Sequence, residues 1–353
     1  MKFSYIANIT LPSGKTHPIQ IMEMCQALSR QGLEVELVVR ATQSHITEDP
    51  FKFYDITPNF TIKRLWCIKV IRIGRIGFWL ESLTFSLSVL FYALKNNHIF
   101  YSRDEIVVFF LSLIRKNVFW EAHMGHKNLL VRTVILLKVR TVVITDALKE
   151  LYVSLGLPSE NILIAPDGAD IDRFDISISK EEARKKLNLP AGKKIVLYKG
   201  SLETWKGASI IALATQYIKT DNVLFIFIGG KPGEVEKFRN NFSKISNILI
   251  AGKVSRKETP IYQKAADICV ISNSAIETIS RLYTSPMKLF GYMAGGRPIV
   301  SADLPSLREV LSESNASFFT PDEPDSLAKS IDLVFENYNE RTKKMINFNK
   351  KEK

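Results

Sequence analysis

The chain has 353 residues, of which 46% are hydrophobic and 24% are charged. This composition is typical of folded proteins and excludes a disordered or fibrous chain. Because one hydrophobic core rarely serves more than about 250–300 residues, two domains are expected. The three cysteines are odd in number and far apart, so they favour neither a disulfide framework nor a zinc cluster.

The apolar segments indicate a cytoplasmic protein. The N-terminal apolar run ends at Asn8, which is too short for a signal peptide. The longest apolar stretch, residues 78–94, contains Glu81 and is shorter than the roughly 20 apolar residues that cross a bilayer. We therefore predict that residues 78–94 form a buried helix.

The formal net charge of +12 is unevenly distributed. Residues 61–75 carry five bases and no acid, and residues 341–353 carry six bases and one acid. One interpretation is a solvated basic surface with a frayed tail. The other is contact of residues 61–75 with an anionic membrane, at the inner face of the cell membrane, because their bases alternate with apolar side chains. Nucleic acid is not an expected partner, since no nucleic-acid-binding motif accompanies the charge.

The first half of the chain predicts a doubly wound α/β domain. A strand at 2–9, a helix at 19–30 and a strand at 35–39 form a βαβ unit, which implies parallel strands. Further apolar runs that predict strands of the same domain lie at 99–101, 118–120, 142–144 and 162–165.

The second half repeats this pattern. Apolar runs that predict its strands lie at 194–198, 223–228, 248–250, 268–271 and 299–300. The predicted fold class is α/β, with two doubly wound, Rossmann-like domains facing across a cleft. The predicted parts are a first domain at 1–175, a junction at 176–192, a second domain at 193–335 and a basic tail at 336–353. Ligands of such sheets bind at the carboxyl ends of the strands.

Two loops that follow predicted strands have the composition of phosphate-binding segments. Residues 11–17 include Gly14, and a flexible loop there brings backbone amides close to a phosphate or sugar. An ordinary βα loop is the alternative, since no established glycine motif is present. Residues 200–207 include Ser201 and Lys206, and a lysine beside a glycine in such a turn can reach a diphosphate. An exposed surface lysine is the alternative there.

The most informative segment is residues 284–302. Ser285 is a favourable N-cap and Pro286 a favourable first helical residue, so the amides of residues 287–289 are expected to face an anion. Lys288 adds charge to this turn, and Leu289 completes it. The helix is expected to end at residues 295–296, before a strand.

Together with residues 165–174, these segments resemble the family 4 retaining glycosyltransferases of the GT-B fold. The resemblance extends over nearly the whole chain, including residues 5–8, 101–104 and 121–123. It implies that the second domain binds a nucleotide diphospho-sugar donor and that the first domain binds a glycan or lipid-linked acceptor.

The resemblance also assigns roles to individual residues. Lys206 matches the diphosphate-binding lysine, and residues 285–289 match the cradle for phosphate and ribose. Gly252 and Val254 occupy the position that contacts the base, and His123 resembles the histidine beside the donor sugar. His123, Lys206 and Lys288 are therefore the predicted catalytic residues.

Several positions depart from the family pattern. Gly291 stands where many members have a glutamate that accepts hydrogen bonds from ribose, and Tyr283 stands where its paired glutamate is expected. Ser201 replaces an arginine that many members place beside the diphosphate. The polar tail after residue 336 implies that the helix that usually crosses back to the first domain is shortened or missing.

The implied activity is sugar transfer with retention of anomeric configuration, in surface polysaccharide or lipid-linked oligosaccharide assembly. Lys206, Lys288 and helix amides would stabilise the departing diphosphate without a metal, and the Asp170 and Asp172 pair is interpreted as structural. Gly291 supports one alternative, a non-catalytic GT-B protein with impaired donor binding. A nucleotide-sugar 2-epimerase is a further alternative, which conversion of the donor without an acceptor would reveal.

Overall fold

The computed structural model describes residues 1–42, 44–70 and 74–352. The chain divides into two compact units. The first comprises Met1–Ile144 and Leu148–Ala165, and the second comprises Thr145–Ala147 and Pro166–Lys353. The predicted boundary at residue 175 and the observed division after Ala165 differ by one short helix, Ile171–Phe174.

The first unit contains a seven-stranded parallel sheet. Its strands are β1 (Lys2–Ala7), β2 (Glu34–Arg40), β3 (Thr61–Leu65), β4 (Ile99–Ser102), β5 (Val118–Ala122), β6 (Arg140–Val143) and β7 (Ile162–Ile164). Their order across the sheet is β3-β2-β1-β4-β5-β6-β7, and Tyr5 in β1 pairs with Leu37 and Tyr101. The connecting helices are α1 (Thr16–Arg30), α2 (Pro50–Tyr54), α3 (Arg75–Lys95), α4 (Glu105–Ser112), α5 (Leu129–Leu136) and α6 (Asp146–Ser154).

The second unit contains a six-stranded parallel sheet. Its strands are β8 (Lys194–Lys199), β9 (Val223–Ile228), β10 (Ile248–Gly252), β11 (Ile268–Ile271), β12 (Ile299–Ala302) and β13 (Ser317–Phe319), in the order β10-β9-β8-β11-β12-β13. Its helices are α7 (Ile171–Phe174), α8 (Lys180–Lys186), α9 (Ala208–Ala214), α10 (Pro232–Phe242), α11 (Glu258–Ala265), α12 (Thr278–Leu282), α13 (Met287–Ala294), α14 (Pro305–Arg308), α15 (Pro324–Glu336) and α16 (Tyr338–Glu352).

The central strands form the core of each unit. All four residues of β11 are buried, and so are five of the six residues of β9. Parallel strands covered by helices on both faces read as continuous apolar runs, and these runs are what made them predictable from the sequence. The predicted α/β class with two doubly wound domains is confirmed.

Helix α3 corrects one prediction. Residues 78–94 are helical as predicted, but they are not a buried apolar helix. The buried face of α3 includes Glu81, Ser82 and Ser86, whereas most of its large apolar side chains are exposed. Among the residues that the structure describes, α3 is also the one helix long and apolar enough to cross a membrane by length and composition.

The tail after residue 336 is helical and packs on the second unit. Residues 338–352 form α16, which contacts α13 and α15 and buries Met345 almost completely. The polar composition of this segment therefore belongs to a packed amphipathic helix with one narrow apolar face. Ile71, Arg72 and Ile73 of the basic segment 61–75, and Lys353 of the tail, lie outside the described residues.

Candidate functional site

The second sheet reverses its strand order between β8 and β11. Open parallel sheets bind ligands at such a reversal, because the loops that leave the two strands diverge there. Residues 200–207 follow β8, and residues 272–274 follow β11. The loop that the sequence predicts to bind a diphosphate therefore lies at the expected ligand position of this unit.

The loop after β8 is fastened to the end of β11. The Ser272 hydroxyl donates to the Lys206 carbonyl oxygen at 3.0 Å, and the Ser274 amide donates to the Trp205 carbonyl oxygen at 2.9 Å. A Cβ on Gly207 would lie 1.7 Å from the Ser272 carbonyl oxygen, and the Gly207 φ of +71° is left-handed. Only glycine permits this approach, which places Lys206 at the strand reversal.

Lys206 lies in a partly desolvated position. Its Nζ is 3.5 Å from the centre of the Trp205 ring. Burial lowers the pKa of Lys206 to about 8, although the carboxylate of Glu203 acts in the opposite direction. An anion bound here would stabilise the charged form, because an opposite charge within a few ångströms raises the pKa of a lysine.

Lys288 is buried in α13, with 7% of its surface exposed. Its Nζ is 4.6 Å from the centre of the Tyr198 ring and has no hydrogen-bond partner in the part of the chain that the structure describes. Burial, followed by the charges of Lys206 and Lys199, holds the pKa of Lys288 well below the usual lysine range. A buried donor without a partner costs about 1–3 kcal/mol, so the site favours a ligand that supplies an acceptor.

The start of α13 differs from its prediction in three ways. The helix begins at Met287, and Pro286 is the N-cap instead of the first helical residue. The Ser285 hydroxyl accepts from the Asp167 amide at 3.0 Å, so Ser285 fastens the segment after β7 and does not cap the helix. The Leu289 amide donates to the Pro286 carbonyl oxygen at 2.8 Å and its side chain is fully buried, so Leu289 offers nothing to an anion.

Gly291 has a structural reason that the sequence did not show. A Cβ at this position would lie 2.9 Å from Cζ of Phe174, so the ring of Phe174 packs directly against the glycine. The Nζ of Lys199 lies 5.4 Å from the centre of the same ring. An aromatic ring therefore occupies the space beside the position where a ribose-binding glutamate is expected.

The other predicted contacts of this unit are smaller features. The Ser201 hydroxyl is 3.3 Å from a Glu203 carboxylate oxygen, so it already has a partner. Gly252 has a left-handed φ of +72°, and its carbonyl oxygen accepts from the Gly229 amide at 2.7 Å. Val254 is half-buried against the core. Gly252 ends β10 and Val254 follows it, at the carboxyl ends of the strands, where Lys206 also lies.

Asn273 is not among the residues predicted from the sequence. It is fully buried directly after β11, and neither its amide nitrogen nor its amide oxygen has a hydrogen-bond partner within the described residues. The signal was the polar Ser272-Asn273-Ser274 run immediately after a fully apolar strand. Its neighbours Ser272 and Ser274 bond the loop that carries Lys206, so Asn273 lies at the strand reversal.

In the first unit, Glu121 at the end of β5 organises a buried polar cluster. Arg103 donates to its carboxylate through Nε at 2.9 Å and Nη2 at 2.7 Å, and the Tyr5 hydroxyl donates at 2.8 Å. The His123 Nε2 is 2.7 Å from Oε1 of Glu121. Burial acts to raise the pKa of Glu121, but the hydrogen bonds of His123 and Arg103 hold it well below the usual range. Glu121 is therefore ionised and orients the ring of His123.

A cavity of about 110 Å³ lies at the strand reversal of this sheet, between β1 and β4. Its lining residues are Tyr5, Ile6, Ala7, Asn8, His17, Ile21, Arg103 and Asp104. Asn8 donates to Asp104 at 3.0 Å, while the Asn8 amide oxygen is buried without a partner among the described atoms. Burial raises the pKa of Asp104. The cavity therefore presents hydrogen-bonding groups suited to a hydroxyl-rich ligand.

The remaining predicted positions are less informative. Gly14 is exposed in the loop before α1 and does not line the cavity. Asp170 precedes α7 and Asp172 lies in its first turn. Within the described ranges, no group of three or more His, Cys, Asp or Glu side chains is arranged to hold a metal ion.

The sequence of the second unit matches a known family. Residues 179–352 match the model of the family described as "Glycosyl transferases group 1". A D-inositol 3-phosphate glycosyltransferase of Xylanimonas cellulosilytica is 23% identical over 172 residues, which cover 44% of this chain and 38% of the relative. An alpha-monoglucosyldiacylglycerol synthase of Streptococcus pneumoniae is 25% identical over 158 residues, which cover 42% of this chain and 34% of the relative. The chain thus spans well under half the length of these two relatives.

The fold matches solved structures over nearly its whole length. The structure of Anabaena Alr3699/HepE in complex with UDP has a TM-score of 0.75 at 15% identity, covering 98% of this chain and 93% of that chain. The same protein in complex with UDP-glucose has a TM-score of 0.73. The fold is therefore GT-B, and the match of residues 179–352 to the glycosyl transferases group 1 model lies within the second unit.

Proposed function

We propose that the protein transfers a sugar from a nucleotide diphospho-sugar to a glycan or lipid-linked acceptor, with retention of anomeric configuration. One observation carries the proposal. The Lys288 ammonium group is buried without a hydrogen-bond partner among the described residues, and the charge of Lys206 lowers its pKa further. Lys288 in that state, together with the partly buried Lys206 at a strand reversal, is suited to a diphosphate, and this unit matches a glycosyltransferase family.

The proposed donor site lies in the second unit. Lys206 and Lys288 would neutralise the diphosphate, while the backbone at Gly252, the last residue of β10, would lie beside the base. Gly291 offers no carboxylate to the ribose, so donor affinity rests more heavily on the lysines. The UDP and UDP-glucose bound to the structurally similar Anabaena protein support a nucleotide sugar as the donor class.

The proposed reaction needs no general base. The bond between the anomeric carbon and the leaving phosphate oxygen breaks, and the acceptor oxygen bonds to that carbon on the same face. The acceptor proton passes to the leaving phosphate oxygen, and the diphosphate charge is stabilised by Lys206 and Lys288. His123, held by Glu121, would position the donor sugar. We propose that this route uses no metal.

The proposed acceptor site uses the N-terminal unit. The cavity lined by Asn8, Arg103 and Asp104 offers donors and acceptors for a sugar hydroxyl. Similarity to a synthase named for a glucosyl-diacylglycerol product supports a lipid-linked acceptor. We therefore place the protein in surface polysaccharide or lipid-linked oligosaccharide assembly, in the cytoplasm at the inner face of the cell membrane.

A transfer assay tests this function. Purified protein is incubated with a panel of nucleotide sugars and with glycan and lipid-linked acceptors, and glycosylated product is detected by mass spectrometry. Retention is read from the anomeric coupling in the product. Turnover that survives EDTA supports the metal-free route, and turnover lost with EDTA and restored by manganese contradicts it.

Gly291 supports a second candidate, a GT-B protein that binds nucleotide without turnover. Phe174 fills the space beside Gly291, so the missing ribose acceptor is built into the packing. This candidate predicts nucleotide binding with neither product nor donor hydrolysis. Donor-dependent product in the transfer assay excludes it.

A further inference from the structure

The outward face of α3 is apolar along its whole length. Ile76, Phe91 and Leu94 are 67%, 65% and 56% exposed. At 100° per helical residue, the exposed apolar side chains of this face form a stripe about 120° wide and roughly 27 Å long. The exposed members of this stripe, here called the α3 stripe, are Ile76, Trp79, Leu80, Leu83, Leu87, Phe91 and Leu94. A patch of this size on one helix marks an interaction surface.

The inward face of α3 combines apolar residues such as Phe85 and Val89 with polar groups that are bonded to the first unit. Glu81 forms a buried ion pair with Arg40 at 2.8 Å, and Ser82 accepts from the Asn8 amide nitrogen at 2.9 Å. The Tyr92 hydroxyl bonds both Ser4 and Glu36. If α3 crossed a bilayer, Arg40 would lose its partner and Glu81 would enter hydrocarbon, which is strongly unfavourable. The helix therefore stays on its domain with the α3 stripe outward.

The charges around the α3 stripe are basic. Arg75 and Lys95 begin and end the helix and are exposed, and Glu81, its one acidic residue, is buried. The Ile68 amide donates to Thr84 at 3.2 Å, which holds the preceding segment beside the middle of α3. That segment exposes Trp66, Ile68 and Lys69. Apolar side chains, tryptophan and flanking bases together fit the interface of an anionic bilayer.

We propose that the α3 stripe docks the protein on an anionic lipid bilayer, with the stripe parallel to the surface. The apolar side chains enter the boundary between headgroups and acyl chains, while Lys69, Arg75 and Lys95 contact anionic headgroups. The inference stands apart from the proposed activity, because it rests on the exposed face of one helix. It also differs from a membrane span, since the buried polar face remains on the first unit.

Vesicle flotation of the full chain tests the proposal. Wild-type protein should float with vesicles of phosphatidylcholine and phosphatidylglycerol, and less with phosphatidylcholine alone or at high salt. The Leu83→Ser, Leu87→Ser double variant should lose roughly a hundredfold in partition coefficient, since each change removes several buried carbons. Arg75→Glu should lose at least about fivefold on anionic vesicles alone.

A matched control carries Leu163→Ser and Ile276→Ser, which are exposed apolar side chains outside α3. It should float as the wild type does, and circular dichroism checks that every variant is folded. Failure of the wild type to float overturns the proposal, as does equal flotation of the Leu83→Ser, Leu87→Ser variant. The proposal is also overturned if the wild type forms a dimer without lipid and the Leu83→Ser, Leu87→Ser variant does not. That result would assign the α3 stripe to contact with a second copy of the chain.

Discussion

At the scale of single residues, two lysines with lowered pKa values define the proposed donor site. Burial lowers the pKa of Lys206 to about 8 and that of Lys288 well below the usual lysine range. A bound diphosphate stabilises both charged forms. Binding should therefore take up protons, since both pKa values are lower in the free protein than in the complex.

This linkage predicts a pH-dependent affinity. Nucleoside diphosphate should bind most tightly below the free pKa of Lys206 and more weakly as the pH rises through about 8. The loss should reach at most about tenfold per pH unit for each proton taken up. Calorimetry in buffers of different ionisation enthalpy measures that proton directly. A Lys206→Met variant should show a flatter profile, and an identical profile would contradict the assignment.

Gly291 and Phe174 make a second residue-scale prediction. Gly291→Glu should lower stability by about 1–3 kcal/mol, because its Cβ displaces the Phe174 ring. Adding Phe174→Ala should relieve that clash and let the new carboxylate reach the ribose, with roughly a tenfold gain in donor affinity. Thermal unfolding and calorimetry of the two single variants and the double variant test the coupling. Strictly additive effects would show that the two positions do not interact.

The buried cluster around Glu121 makes a third prediction about a single residue. Glu121→Gln should lower stability by about 3–5 kcal/mol, because it leaves the buried Arg103 guanidinium without its charged partner. Glu105→Gln is the matched control, since Glu105 pairs with the more exposed His126 at 2.9 Å, and it should cost under about 1 kcal/mol. Urea unfolding compares them. Equal losses would mean that the Glu121 cluster is not a buried network.

At the scale of secondary-structure elements, α16 makes a testable claim about the tail. Met345 is 1% exposed and its neighbour Ile346 is 43% exposed. Met345→Ala should cost about 2 kcal/mol or more, while Ile346→Ala should cost little, because only the first side chain leaves a cavity. Thermal unfolding distinguishes them. Two equally silent substitutions would indicate a tail that does not pack on the second unit.

All of the central strands were predictable from the sequence, whereas two of the four edge strands were not. The apolar strands near residues 99, 223 and 268 could be placed because burial on both faces leaves a continuous hydrophobic run. The edge strands β3 and β13 were missed, since β3 is largely exposed and charged and β13 has only three residues. Helix α3 was misjudged because hydrophobic composition does not show which face packs inward.

Local sequence alone placed Lys206 in a turn after a strand and Lys288 at a helix start, and their contact with a diphosphate stays a prediction. Lys206 could be placed because a strand and a glycine turn flank it in the sequence. Lys288 could be placed because a helix start directly precedes it. The roles of Ser285 and Gly291 could not be predicted, because they depend on Asp167 and Phe174, which are distant in the sequence. Asn273 was missed since a single buried amide has no motif.

At the scale of the whole molecule, the two units use one architecture for two kinds of site. Each sheet reverses its strand order once, and each reversal carries buried polar groups: Lys206 and Lys288 in the second unit, and the Asn8 and Asp104 cavity in the first. The net charge of +12 favours binding of anionic ligands and of anionic surfaces. The proposed donor diphosphate and the proposed anionic bilayer would both be partners of that kind.

We propose that Lys206 and Lys288 form a diphosphate site. Nucleotide titration of the wild-type protein and of a Lys288→Met variant is the most direct test of that site. Met removes the buried ammonium group without a large change in volume, so the free variant should unfold at the same or a higher temperature. A panel of nucleoside diphosphates should raise the wild-type unfolding temperature, and affinity should fall roughly 10- to 150-fold in the variant. Equal affinity of the two proteins, or no nucleotide binding by the wild type, would contradict the account.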